Sequence, residues 1–238
     1  MPAFPTTRHS VIERLRSHDE SPRREAFGDL VDGYWKPVYK YLRIKWRLSA
    51  EEAEDAAQAF FAEAFEKSWF ERFDPSKARF RTFVRVCVDR LVMNMQQAAG
   101  REKRGGAVRV VSVDFASAEN ELAGQAPSVA PEADAFFQQE FVRALFDRAV
   151  SAVREDALSR GRSLQWRLFE RYDLAAGEKP SYAALALELA LTPGQVTGYL
   201  AQMRAAFRTQ AIAALEGLCV DREEFRREAR DLLGLDIE

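Results

Sequence analysis

The chain has 238 residues, 47% of them hydrophobic and 30% charged, with 12 glycines and 9 prolines. This is the profile of an ordinary globular chain and excludes collagen-like, rod-like and wholly disordered classes. Thirty-five lysines and arginines against 37 acids give a formal charge of −2, so total charge does not mark a nucleic-acid binder and any basic surface must be local.

From Pro22 to Trp46, apolar groups recur at Phe27, Leu30, Val31, Tyr34, Trp35, Val38, Tyr41 and Leu42, steps of three and four that predict a helix, which Pro37 should kink or split. Ser49 and Glu52 form a predicted capping box ahead of an apolar face at Ala53, Ala56, Ala57, Phe60, Phe61, Ala64 and Phe65. A turn at Asp74-Pro75-Ser76 precedes a helix from Phe80 to about Gly100. Gly105-Gly106 ends that segment, and Val108 to Val113 is a short β-prone run.

Residues 114–140 hold six acids (Asp114, Glu119, Glu121, Glu132, Asp134, Glu140) and no lysine or arginine, which up to Pro131 reads as an interdomain linker. A long helix is predicted from there to about Ser159, then another across Leu164–Leu174 and a break at residues 177–180. Ser181 can cap a short helix at Tyr182–Leu189, and Thr192 with Pro193 can cap a longer one to about Leu215. Short helix, turn and longer helix make a helix-turn-helix pattern, which also fits an αα-hairpin in a bundle. Asp221 with Glu224 opens a final helix. The expected fold is therefore all-α: two helical domains, 1–106 and 132–238, joined by an acidic linker at 107–131, with the helix-turn-helix in the second.

Cys87 and Cys219 lie far apart in apolar-periodic stretches and read as reduced core thiols. His9 and His18 are the only histidines, so the sequence offers no Cys/His zinc cluster and no Ser-His nucleophile pair. With no paired or metal-spaced carboxylates either, the expectation is a protein that is not an enzyme and takes no cofactor or metal. The start, MPAFPTTRHS, lacks the apolar core of an export signal, and no stretch nears the roughly 18 apolar residues of a membrane span. A cytoplasmic location without membrane attachment follows.

Residues 80–104 carry six basic residues (Arg81, Arg85, Arg90, Arg101, Lys103, Arg104) against Asp89 and Glu102, a local +4 beside Phe80 and Phe83. Basic groups that hold phosphates beside rings that stack on unpaired bases suit single-stranded nucleic acid. Taken alone, the same pattern is better described as a core helix with both rings inward and a solvated basic face. Residues 192–203 contain no lysine or arginine, which leaves Gln195, Thr197 and Tyr199, with Arg204 and Arg208 later, to touch bases or phosphates.

In this order the segments YWKPVYKYLR (34–43), AEDAAQAFFAEAFEK (53–67), FDPSKARFRTFVRVCVDRLVMN (73–94), REKRGG (101–106) and SYAALALELALTPGQVTGYLAQMRAAFR (181–208) resemble a bacterial RNA polymerase sigma factor of the sigma-70 family. The likeness is to the small extracytoplasmic-function (ECF) type, which keeps the second and fourth conserved regions. It implies that Glu54, Asp55, Gln58 and Glu63 bind the clamp helices of the largest core-polymerase subunit. It further implies that Phe80, Arg81, Phe83, Asn94, Arg101, Lys103 and Arg104 engage the minus-ten element, and that Gln195, Thr197, Tyr199, Arg204 and Arg208 meet the minus-thirty-five element. The acidic linker would follow the RNA exit path through a basic channel, and an anti-sigma factor or other regulator would be a further partner. The sequence departs from the family pattern at Gln58-Ala59, Phe83 and Asp89-Arg90, where Gln-Glu, Trp and Arg-Asn are usual, and in its neutral recognition helix. Two other functions fit the residues: a helix-turn-helix regulator that binds DNA without polymerase, and a helical scaffold that has lost promoter function.

Overall fold

The structure, a computed structural model, describes residues 11–99, 113–123 and 132–237. Among these, every regular element is helical. The α-helices are α1 (Val11–Leu15), α2 (Glu20–Lys45), α3 (Ala50–Glu66), α4 (Phe80–Ala99), α5 (Phe115–Ala123), α6 (Ala133–Ser159), α7 (Ser163–Phe169), α8 (Tyr182–Glu188), α9 (Pro193–Glu216) and α10 (Arg222–Leu233). A 3-10 turn at Phe70–Arg72 precedes α4, and a π-helical turn at Glu170–Leu174 continues α7. No helix among the described residues is long and apolar enough to cross a membrane.

The chain divides into two compact units: residues 1–144 with 215–238, and residues 145–214. The expected boundaries at 106 and 131 do not coincide with this division. It falls inside α6 and α9, and it assigns α10 to the first unit rather than, as expected, to the same domain as α8 and α9.

In the first unit α2 is the spine, and its burial is nearly all-round: Leu30, Val38, Tyr39, Tyr41 and Leu42 have no exposed surface. A helix enclosed in this way is hydrophobic on more than one face, which explains its dense aromatic content. It runs continuously through Pro37 and is not split. Proline inside a helix costs about 3 kcal/mol, and burying several large side chains at about 1.5–3 kcal/mol each outweighs that. Gly33, on the same helix, lies so close to Leu218 that a Cβ there would sit 2.5 Å from its Cδ2.

The capping box of α3 forms in both directions, with the Glu52 N–H donating to Ser49 Oγ at 3.2 Å and the Ser49 N–H to Glu52 Oε2 at 2.9 Å. Its stripe of Ala53, Ala56, Ala57, Phe60, Phe61 and Ala64 is buried as the spacing predicts. Helix α4 buries Phe80, Val84, Cys87, Val88, Leu91 and Val92, the i, i+4, i+7, i+8 rhythm of one face. Edge-on contacts join Phe80 to Tyr34, Phe70 and Phe73 at 5.1–5.7 Å between ring centres.

The described part of the expected linker is not an open connection. Residues 115–123 form α5, whose Phe115 packs on Trp35 and Tyr39. Glu119 accepts from Arg43 at 2.5 and 3.0 Å and from the Tyr39 hydroxyl at 2.8 Å. Glu121 takes Lys36 at 2.7 Å and Lys40 at 2.6 Å, and Lys40 also holds the buried Glu140 at 2.8 Å. Glu119 and Glu121 are thus both paired with α2. Most of the β-prone run, 108–112, lies outside the described residues, as do 124–131.

The second unit centres on Val153, Ala157, Trp166, Leu168, Phe169, Leu185, Ala186, Val196, Leu200 and Met203. Ser181 caps α8 by accepting the Ala184 N–H at 3.1 Å. The turn into α9 is a Schellman closure, in which the Leu191 N–H reaches Ala186 O at 2.8 Å and Ala190 takes the left-handed conformation at φ 53°.

Candidate functional site

Three surfaces contain the residues singled out by sequence. The first is the outer side of α3, which carries Glu51, Glu52, Glu54, Asp55, Glu63 and Glu66 and no basic residue within its length. Asp55 is exposed and Glu54 half-buried, and Glu63 is paired with Lys67 one turn on. Gln58 differs from the expectation: it is 6% exposed, turned toward the packed side of the helix. A surface this one-signed is complementary to a basic partner.

The second surface is α4. Phe80 is 1% exposed, so its ring is part of the core and is not presented to a base. Arg81 is 9% exposed and pairs with Glu228 of α10, while its other guanidinium nitrogen donates to Gln138 at 3.2 Å. Burial pulls the Arg81 guanidinium below its usual pKa, and neighbouring Arg79 adds to the effect. Phe83 is half-buried against Phe73, with ring centres 5.3 Å apart. Asn94 is exposed, and its eleven-residue separation from Phe83 puts both on one face, about three turns apart. Arg101, Lys103 and Arg104 lie outside the described residues.

The third surface is α9. At 3.6 residues per turn its five candidates fall on two flanks of the buried Val196, Leu200 and Met203 stripe: Thr197, Arg204 and Arg208 on one, Gln195 and Tyr199 on the other. Gln195 completes a capping box, its Oε1 accepting the Thr192 N–H at 2.8 Å while its own N–H reaches Thr192 Oγ1 at 3.2 Å. The Thr197 hydroxyl donates to Pro193 O at 3.0 Å, and Tyr199 packs partly buried against the core. Arg204 is held by both oxygens of Asp173 at 2.9 and 3.0 Å and lies over the Tyr172 ring, and the Asp173 contact raises its pKa above the ordinary arginine value. Arg208 is exposed. The outward stripe between the flanks, Gly194, Gly198, Ala201 and Ala205, is small, uncharged and exposed.

No family model, curated protein or solved structure matches this chain.

Sequence reasoning missed the inward acids of α10. Glu224 accepts the Phe80 N–H at 2.6 Å and the Val220 N–H at 2.9 Å, and Arg79 reaches Glu228 at 3.0 Å as well as Asp231. Burial pushes the Glu224 carboxyl above its usual pKa despite those two N–H donors. Glu224, Glu228 and Asp231 are spaced by four and three, beside the buried Phe225 and Ala229. Their stripe is visible in the sequence, but its partner is not.

Proposed function

We propose that this protein is a promoter-specificity subunit of bacterial RNA polymerase, a sigma factor of ECF type, which binds core enzyme and directs it to promoter DNA. The observation that carries the reading is the outer face of α3: six carboxylates along a helix with no basic residue within its length, Asp55 exposed among them and Glu63 paired with Lys67 just beyond the end, on the helix whose sequence resembles the core-binding segment of the family. Two further features support it. Phe83 and Asn94 share a face of α4, and a short capped helix followed by a capped long one occupies residues 182–216. Because Gln58 is buried, core binding falls chiefly to Asp55 and Glu54. Because Phe80 and Arg81 are covered, minus-ten contacts in the free protein fall to Phe83, Asn94 and the basic run Arg101, Lys103 and Arg104.

A second reading, a helical scaffold without promoter function, is favoured by α9, whose outward stripe is neutral and whose Arg204 is engaged by Asp173.

Mixing the purified chain with core RNA polymerase, followed by size exclusion and run-off transcription on a genomic template library, separates the readings. A stable complex with discrete start sites is the expected result, and no complex overturns the proposal. A complex without transcripts from any template supports the scaffold. Reversing charge with Glu54→Lys and Asp55→Lys should weaken core binding about tenfold or more, since each acid then repels a basic partner. Unchanged affinity would remove α3 from the interface.

A further inference from the structure

The acids of α10 form one stripe, Glu224, Glu228 and Asp231, of which the first two are 2% and 4% exposed. They meet α4 and its leading residue where two arginines flank a backbone N–H. Arg79 is bound to Glu228 and Asp231, Arg81 to Glu228, and the Phe80 N–H to Glu224. Arg79 lies close enough to disfavour the charge on Arg81, so the carboxylates neutralise a pair of like charges that would otherwise attract an anion.

The α10 contact combines this ionic stripe with the buried Phe225 and Ala229, and its ionic part is the weaker for permanent attachment, because desolvation offsets much of the Coulomb attraction. It is also a seam that can be contested. A phosphate diester offers guanidinium the same paired oxygens that a carboxylate does.

We propose that α10 is a displaceable carboxylate arm, which occupies Arg79 and Arg81 in the free protein and yields them to the phosphates of a nucleic-acid strand. The arm thereby regulates the minus-ten surface of α4; this rests on the promoter-binding reading for the identity of the strand. Displacing the arm also uncovers the N-terminal end of α4, and it accounts for Arg81 being buried in the free chain although its segment resembles a DNA-binding one.

The test uses the full chain and a fluorescein-labelled oligothymidylate, read by anisotropy across a salt series without polymerase. The variant Glu224→Gln, Glu228→Gln, Asp231→Asn keeps side-chain size and removes the competing charge. It should bind about tenfold more tightly than the parent, and adding Arg79→Ala and Arg81→Ala should take the gain away. In the unmutated protein, amide hydrogen exchange of residues 222–233 should speed up when the oligonucleotide saturates it, a readout that does not depend on any variant folding. Unchanged affinity in the charge-neutralised variant, a gain that survives loss of both arginines, or α10 amides equally protected at saturation would each overturn the proposal. Failure of the parent to bind core polymerase would overturn the promoter-subunit reading while leaving this result standing.

Discussion

Lys40 offers the sharpest test of how the first unit is assembled. Its side chain is 2% exposed and its ammonium sits 2.8 Å from the carboxylate of Glu140, itself 1% exposed, and 2.6 Å from Glu121. Lys40→Met removes the charge with little change in volume and leaves Glu140 enclosed beside Arg143 alone. Breaking a buried pair in this way costs about 3–5 kcal/mol, and because Arg143 still reaches Glu140 the lower figure, about 3 kcal/mol, applies here. With a urea slope of about 2 kcal/mol per molar, the unfolding midpoint should fall by about 1.5 M. The transition is read from Trp35, Trp46 and Trp69, all in the first unit, in a Trp166→Phe background that silences the tryptophan of the second. Adding Glu140→Leu should restore the midpoint to within about 1 kcal/mol of the parent, because the orphaned charge is gone and the space is filled. A shift below about 0.5 M for Lys40→Met, or a double variant no better than the single one, would refute the reasoning that this ion pair is enclosed and pins α5 and α6 to α2.

Two smaller predictions concern the same unit. Hydrogen bonding from Arg43 holds the Glu119 carboxyl below the ordinary value, so its contribution to stability is complete above the unfolded value of about 4.3 and drains away as pH falls through the lower folded one. The advantage of the parent over Glu119→Gln, measured as a urea midpoint, should be constant above about pH 5 and shrink on acidification; a gap that widens would reverse the sign. Gly33→Ala places a methyl 2.5 Å from Leu218 Cδ2, and since Leu218 is 2% exposed its side chain must repack within the core, so the substitution should cost about 1–3 kcal/mol. Pairing it with Leu218→Ala should make the methyl harmless, and a neutral single variant would show that α2 and the turn after α9 do not meet this closely.

The features that were legible in the sequence are those whose physics is local. Ser49 with Glu52, Ser181, Thr192 with Pro193 and Asp221 with Glu224 each mark a helix start that the structure has, because a capping bond joins residues three apart. The buried stripe of α4 follows from a period of 3.6 for the same reason. What escaped is held by partners distant in sequence: Lys40 and Glu140 are 100 residues apart, Arg79 and Glu228 are 149 apart. Glu119 and Glu121 looked like a solvated run because the bases that bind them belong to another helix. Phe80 and Arg81 carried the composition of a nucleic-acid surface, and which way they face was decided by Tyr34, Phe73 and the acids of α10, not by their own segment. Pro37 misled in the opposite direction, since packing around α2 overrode a local penalty.

The first unit is interrupted by the second: residues 145–214 intervene before Leu215–Glu238 rejoin it. On a ribosome adding about 5–20 residues per second, the 144-residue separation between Phe80 and Glu224 corresponds to about 7–30 s. During that interval Phe80, Arg79 and Arg81 have been made but their carboxylates have not, and Gly33 still lacks Leu218. The inserted unit has its full sequence available before the enclosing one does. Birth of the chain therefore includes a period in which the arginine pair exists without the carboxylates that bind it in the finished fold.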